Sequence, residues 1–105
     1  EKSSPNFITQ KKITAEVIEV VEDEQIDYSD KIAMIPSADP GYDWLFAHKI
    51  AGLVTTYGGA NSHMAIRCAE LGLPAAIGVG EDLYNSLKNM RQIFLDCYNE
   101  KISNV

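Results

Sequence analysis

The chain has 105 residues, 46% of them apolar and 23% charged, and a formal net charge of −6. That length allows one domain with its own core but not two substrate sites, a lid and a cofactor fold, so any chemistry must be local. No apolar run approaches the roughly 20 residues needed to span a bilayer, and a soluble, cytoplasmic chain with no membrane partner is expected.

Residues 1–12 open on the polar stretch Lys2, Ser3, Ser4, Pro5, Asn6 with no initiating methionine. They are expected to be a linker remnant and lead-in segment to a domain over 13–105 that belongs to a longer protein. Ile13 to Val21 alternates in polarity and is rich in β-branched residues, which predicts a strand. Glu22 to Asp30 predicts an acidic turn or loop, and the apolar run Lys31 to Ile35, closed by Pro36, a second and more buried strand. A helix is expected over about 39–51: Asp39 can cap it, Pro40 fits its first position, His48 and Lys49 suit its end and Gly52 can stop it.

Leu53 to Thr55 predicts a strand entering Gly58-Gly59. Asn61 or Ser62 then starts a helix that runs to Leu71 and stops at Gly72. A strand at Pro74 to Ile77, a short helix at Asp82 to Lys88 and a strand at Gln92 to Tyr98 follow, and a turn at Asn99-Glu100 leads to a last strand at Lys101 to Ile102. The order β, β, α, β, α, β, α, β, β implies right-handed crossovers and a sheet that is at least partly parallel. The fold class is α/β, a mixed layered sheet with helices packed on it.

Charge is unevenly placed. From Glu16 to Asp43 nine acids (Glu16, Glu19, Glu22, Asp23, Glu24, Asp27, Asp30, Asp39, Asp43) face Lys31 alone. Such a run repels phosphate backbones, so no nucleic-acid partner is expected; it reads as a solvated face or a docking surface. Cys68 and Cys97 lie far apart, and His48 and His63 make no ligand spacing with them, so two reduced thiols and no metal site are expected. The acidic run likewise lacks an ordered metal motif.

The densest signal is Thr55-Thr56-Tyr57-Gly58-Gly59-Ala60-Asn61-Ser62-His63. Gly58 and Gly59 allow close backbone approach and outward amides, and free N–H groups in a first helical turn attract anions. His63, placed there, sits in a positive potential that favours neutral imidazole, able to attack phosphorus. The same amides and the hydroxyls of Thr55, Thr56 and Ser62 could then hold the phosphoryl charge. Residue types alone leave the alternatives open, because a Gly-Gly pair also makes tight turns and a histidine at a helix start also caps or packs. Ser62 and His63 are adjacent, which suits a Ser/His pair poorly, no acid is placed to orient the ring, and a P-loop is absent. His48 is expected to be a helix C-terminal charge or a surface residue.

The stretches Asp39-Pro40 to Leu45-Phe46, Gly52-Leu53-Val54-Thr55, Gly58 to Ile66 and Glu70-Leu71-Gly72-Leu73-Pro74-Ala75-Ala76-Ile77-Gly78 together resemble the mobile phosphohistidine domain of phosphoenolpyruvate-utilising enzymes. That family includes phosphoenolpyruvate synthase, pyruvate phosphate dikinase, enzyme I of the sugar phosphotransferase system and rifampin phosphotransferase. The resemblance is close over about residues 36–80 and looser at Gln92 to Ile102. It implies a swivelling β/β/α domain whose phosphorylated histidine falls on His63, with Ser62 the preceding hydroxyl, Thr55 the strand-end threonine and Gly58 and Gly59 the glycine pair.

It also implies a carrier that works with nucleotide-binding and phosphoenolpyruvate- or pyruvate-binding domains of the same parent chain. ATP and Mg²⁺ would bind on those other domains, with no cofactor in this one. The synthase and dikinase branch is the expected one, with a rifampin-phosphotransferase-like carrier or a non-catalytic anion-binding or docking module as alternatives. The chain departs from the family pattern in four places. Met64 follows the histidine where a small residue is usual, and Cys68-Ala69 replaces an Ala-Arg pair. Ala60 stands where enzyme I carries arginine. Arg67 precedes the usual arginine by two residues, about 200° around a helix, and is not expected to stand in for it.

Overall fold

A computed structural model describes residues 4–21 and 25–105. Residues 1–3 of the expected linker and 22–24 of the expected acidic turn lie outside them. The described strands are β1 (Asn6–Ile8), β2 (Lys12–Glu19), β3 (Ile32–Ser37), β4 (Gly52–Tyr57), β5 (Ala75–Ile77), β6 (Gln92–Asp96) and β7 (Lys101–Asn104). They form one sheet in the order β1-β5-β4-β3-β2-β6-β7.

The four middle strands β5, β4, β3 and β2 are parallel, and β1, β6 and β7 add antiparallel strands at the two edges. Parallel strands need crossovers. A 3₁₀ helix (Pro40–His48) joins β3 to β4, α1 (His63–Leu71) joins β4 to β5, and α2 (Glu81–Lys88) follows β5. The parallel strands are covered on both faces, which is why they read as unbroken apolar runs. Ala33, Ile35, Leu53, Ala75 and Ile77 pack with Leu45 of the 3₁₀ helix and with Met64, Ala65 and Cys68 of α1. Their neighbours Ile32, Met34, Val54 and Ala76 pack with Tyr84 and Leu87 of α2 and with Ile93 and Leu95 of β6. For β6 to share a core with β4 and β5, which lie well along the sheet from it, the sheet curls. The α/β expectation holds as a curled mixed sheet with helices.

Three elements differ from expectation. β1 lies inside the segment expected to be linker: Asn6, Phe7 and Ile8 pair with Ile77, Ala76 and Ala75, a partnership some seventy residues away that local pattern does not announce. β3 continues through Pro36 to Ser37, because pairing with β2 ends at Met34 and the missing N–H of Pro36 breaks no ladder there. The helix over 39–51 is a 3₁₀ helix that ends at His48. Asp39 caps it, accepting from the Gly41 amide at 2.8 Å, but Lys49 in the left-handed conformation (φ 56°, ψ 44°) terminates it, and Gly52 opens β4.

Both thiols are free and buried, with Cys68 fully enclosed and Cys97 nearly so. Burial pushes Cys68 up to about 12 and Cys97 up to about 11, so almost no thiolate forms near neutral pH. The folded chain is therefore expected to resist a disulfide reagent at pH 8 and to release two reactive thiols when unfolded in urea. Rapid labelling of either cysteine in the native state would contradict this packing.

Candidate functional site

Open α/β sheets place ligand sites beyond the carboxyl ends of their parallel strands. At that edge β4 runs into Gly58-Gly59 and α1, and β3 runs into the 3₁₀ helix. Ser62 caps α1: its Oγ accepts from the Ala65 amide at 3.4 Å and donates to the Gly59 carbonyl at 2.7 Å. His63 is thus the first helical residue, and Gly72 closes the helix in the left-handed conformation, as expected. Met64, Ala65 and Cys68 turn to the core, leaving His63, Arg67 and Glu70 along the outer face at spacings of four and three.

The decisive contact joins two crossovers. His63 Nε2 lies 2.7 Å from Asp43 Oδ1, and Arg67 Nε donates to the same oxygen at 3.0 Å. Hydrogen bonds from His63 and then Arg67 hold the Asp43 carboxyl below the usual carboxylate range. The imidazole is 37% exposed, open enough to meet another molecule yet fixed in orientation. Arg67 also reaches Glu70 at 3.4 Å and lies over the Phe46 ring.

One expectation is corrected here. An acid does orient His63, and it comes from the acidic run read as a solvated or docking face. Arg67, which is not expected to stand in for the family's usual arginine, lies on the histidine's own face of α1. The Asp43 contact was not visible in spacing, because Asp43 and His63 are brought together only by the fold, across β4; the four-residue spacing of His63 and Arg67 did place them on one helix face.

The other expected site residues divide. Gly58 (φ +136°) packs so closely that a Cβ would sit 2.6 Å from the Ala38 Cβ, whereas Gly59 faces open space. Thr55 is fully buried, and its hydroxyl donates to the Tyr57 carbonyl at 2.9 Å and accepts from the Gly78 amide at 2.9 Å. Here it fastens the end of β4 to the turn after β5. Thr56, also buried, alternates to the other face. Tyr57 emerges exposed and donates to Glu81 at the start of α2, a bond that raises its phenol.

Replacing Thr55 with valine keeps the shape and removes both hydroxyl bonds. Each partner retains a second one, since the Gly78 amide also reaches the Thr55 carbonyl and the Tyr57 carbonyl also accepts from Ala38. The expected cost is about 1.5 kcal/mol in urea unfolding, and an unchanged midpoint would contradict the fastening role. His48, expected to be a helix C-terminal charge or a surface residue, is the last residue of the 3₁₀ helix, half-buried and packed edge-to-face on Trp44 and Tyr28. Among the described residues, no group of three or more His, Cys, Asp or Glu is placed to hold a metal ion, and no helix is long and apolar enough to cross a membrane.

Residues 27–100, which include the 3₁₀ helix, the glycine turn and all of α1, match the family described as PEP-utilising enzyme, mobile domain. The chain belongs to that family. Two curated relatives are similar to this mobile domain. A phosphoenolpyruvate-protein phosphotransferase of Haloferax volcanii is 44% identical over 48 residues, which is 46% of this chain and 8% of that protein. A rifampicin phosphotransferase of Bacillus cereus is 43% identical over 65 residues, which is 62% of this chain and 7% of that protein. The mobile domain thus spans less than a tenth of the length of the curated relatives it matches.

The solution NMR structure of a UPF0107 protein shares the fold with a TM-score of 0.71 at 14% identity, covering 100% of this chain and 99% of that one. Among the departures from the family pattern, Met64 and Cys68 are accommodated by burial: both side chains are fully enclosed in the core beneath α1.

Proposed function

We propose that this domain is the phosphoryl carrier of a phosphoenolpyruvate-utilising phosphotransferase, with His63 as the residue that is transiently phosphorylated. The observation that carries this reading is an exposed imidazole in the first turn of α1, oriented by Asp43, within a chain of the mobile-domain family. In the transfer, a P–O bond of the donor breaks with its electron pair left on the donor oxygen, and a P–N bond forms on His63. The reverse step delivers the group to an acceptor oxygen. First-turn amides of α1 lack carbonyls ahead of them and favour the added negative charge, and the open side of Gly59 admits it.

In the synthase and dikinase type the donor is ATP, by way of a pyrophosphoryl-histidine, and pyruvate is the acceptor. ATP and Mg²⁺ would be held by other domains of the parent chain, as would pyruvate or phosphoenolpyruvate. The similarity to the rifampicin phosphotransferase favours a second reading, in which the same carrier serves an antibiotic-modifying enzyme.

The test is incubation of the full-length parent enzyme with labelled ATP, and separately with labelled phosphoenolpyruvate. Acid-labile, alkali-stable phosphate mapping to this domain is expected. A protein that takes no label from either donor overturns the carrier reading and leaves a non-catalytic module.

A further inference from the structure

We propose that Arg67 is the cation that binds the phosphoryl group on His63, and that the Asp43 carboxylate occupies the place of that group while the histidine is unmodified. The inference rests on the carrier reading above and adds to it an anion site with a resting occupant. Its basis is a single oxygen. Asp43 Oδ1 meets His63 Nε2 at 2.7 Å and Arg67 Nε at 3.0 Å. A phosphoryl group bonded to Nε2 projects its oxygens about a hydrogen-bond length from that nitrogen, into the space that Oδ1 now fills.

The protons require an exchange of anions. An ionised carboxylate only accepts, so Nε2 donates to Asp43 in the arrangement seen and has no lone pair for attack. Phosphorylation of Nε2 needs the ring proton on Nδ1 and the carboxylate displaced. Once the group is attached, its charge and that of Asp43 repel at this distance. Arg67 has reason to stay, because its guanidinium carries five donors in a fixed fork suited to phosphate. It is also steadied from two other sides, by the Phe46 ring 5.3 Å away and by Glu70. The exchange leaves the arginine paired with an anion before and after transfer.

The test treats the chain with phosphoramidate, which supplies a phosphoryl group without any other domain. The Nε2–P bond forms, the P–N bond of the reagent breaks, and ammonia leaves with the ring proton as ammonium. Phosphorus NMR against pH then reads the midpoint of the second ionisation of the phosphoryl group. A nearby cation favours the dianion and lowers that midpoint.

In an Asp43→Asn background, which removes the competing carboxylate, Arg67→Ala is expected to raise the midpoint by about half a pH unit or more, with Arg67→Lys intermediate. Arg67→Gln, which keeps the side-chain length, carries the same comparison if the alanine variant does not fold. Coincident midpoints with and without Arg67 in that background overturn the inference, since an arginine acting only by holding Asp43 would give that result. Absence of any His63-dependent phosphorus signal in the unsubstituted chain removes the carrier reading itself.

Discussion

Gly78→Ala is expected to cost about 2 to 5 kcal/mol of folding free energy, the largest stability loss of any single methyl added at the site. Gly78 holds φ +76°, where an L side chain is strained by roughly 1 to 2 kcal/mol. A Cβ there would also lie 2.3 Å from the Gly58 carbonyl oxygen, a backbone atom that no rotamer change can move. Shifting that backbone adds roughly 1 to 3 kcal/mol, against a total of roughly 5 to 15 kcal/mol for a domain of ordinary stability.

Urea unfolding followed by the single tryptophan, Trp44, gives the measurement. Gly59→Ala is the control, because nothing lies within 4 Å of its Cβ position, and its effect should stay within about 0.5 kcal/mol. Equal midpoints for the two variants would show that the close approach of the two turns does not support the site. The two turns matter to function because Gly58 immediately precedes the loop that sets the start of α1.

His63→Gln is expected to reduce phosphoryl labelling of the parent enzyme by roughly 10³-fold or more, the scale on which removing a nucleophile acts. Glutamine keeps a donor that can meet Asp43. Because the histidine is 37% exposed at a helix start, folding should change by less than about 1 kcal/mol. Loss of label with retained circular dichroism and unfolding midpoint therefore isolates chemistry from stability. Label that persists undiminished in the variant assigns the nucleophile elsewhere and sinks the role given to His63.

What could be read in advance was whatever the chain declares locally. Ser62 and Gly72 bracket α1 by capping chemistry that acts over three or four residues, and both bounds were legible. Asp39-Pro40 announced a helix start equally well, but the same cap serves a 3₁₀ helix, and Lys49 is not a residue whose identity signals a left-handed stop. β1 carries only three residues in a polar setting, and its apolar partners come from β5. The pairing of Asp43 with His63 was the costliest omission. An aspartate among nine acids carries no mark that separates it from its neighbours, and only the passage of the chain through β4 puts it beside the imidazole. The family resemblance located the histidine without revealing what holds it.

The two partners of that contact ride on different kinds of support. His63 belongs to an α-helix that buries Met64, Ala65 and Cys68 against the sheet. Asp43 belongs to a nine-residue 3₁₀ helix that buries Leu45, longer than the three or four residues such helices usually sustain with their poorer hydrogen bonds. Compliance is therefore one-sided. When a force or a competing anion separates the pair, the overwound segment is the one to yield, and the imidazole keeps its address while its companion moves aside.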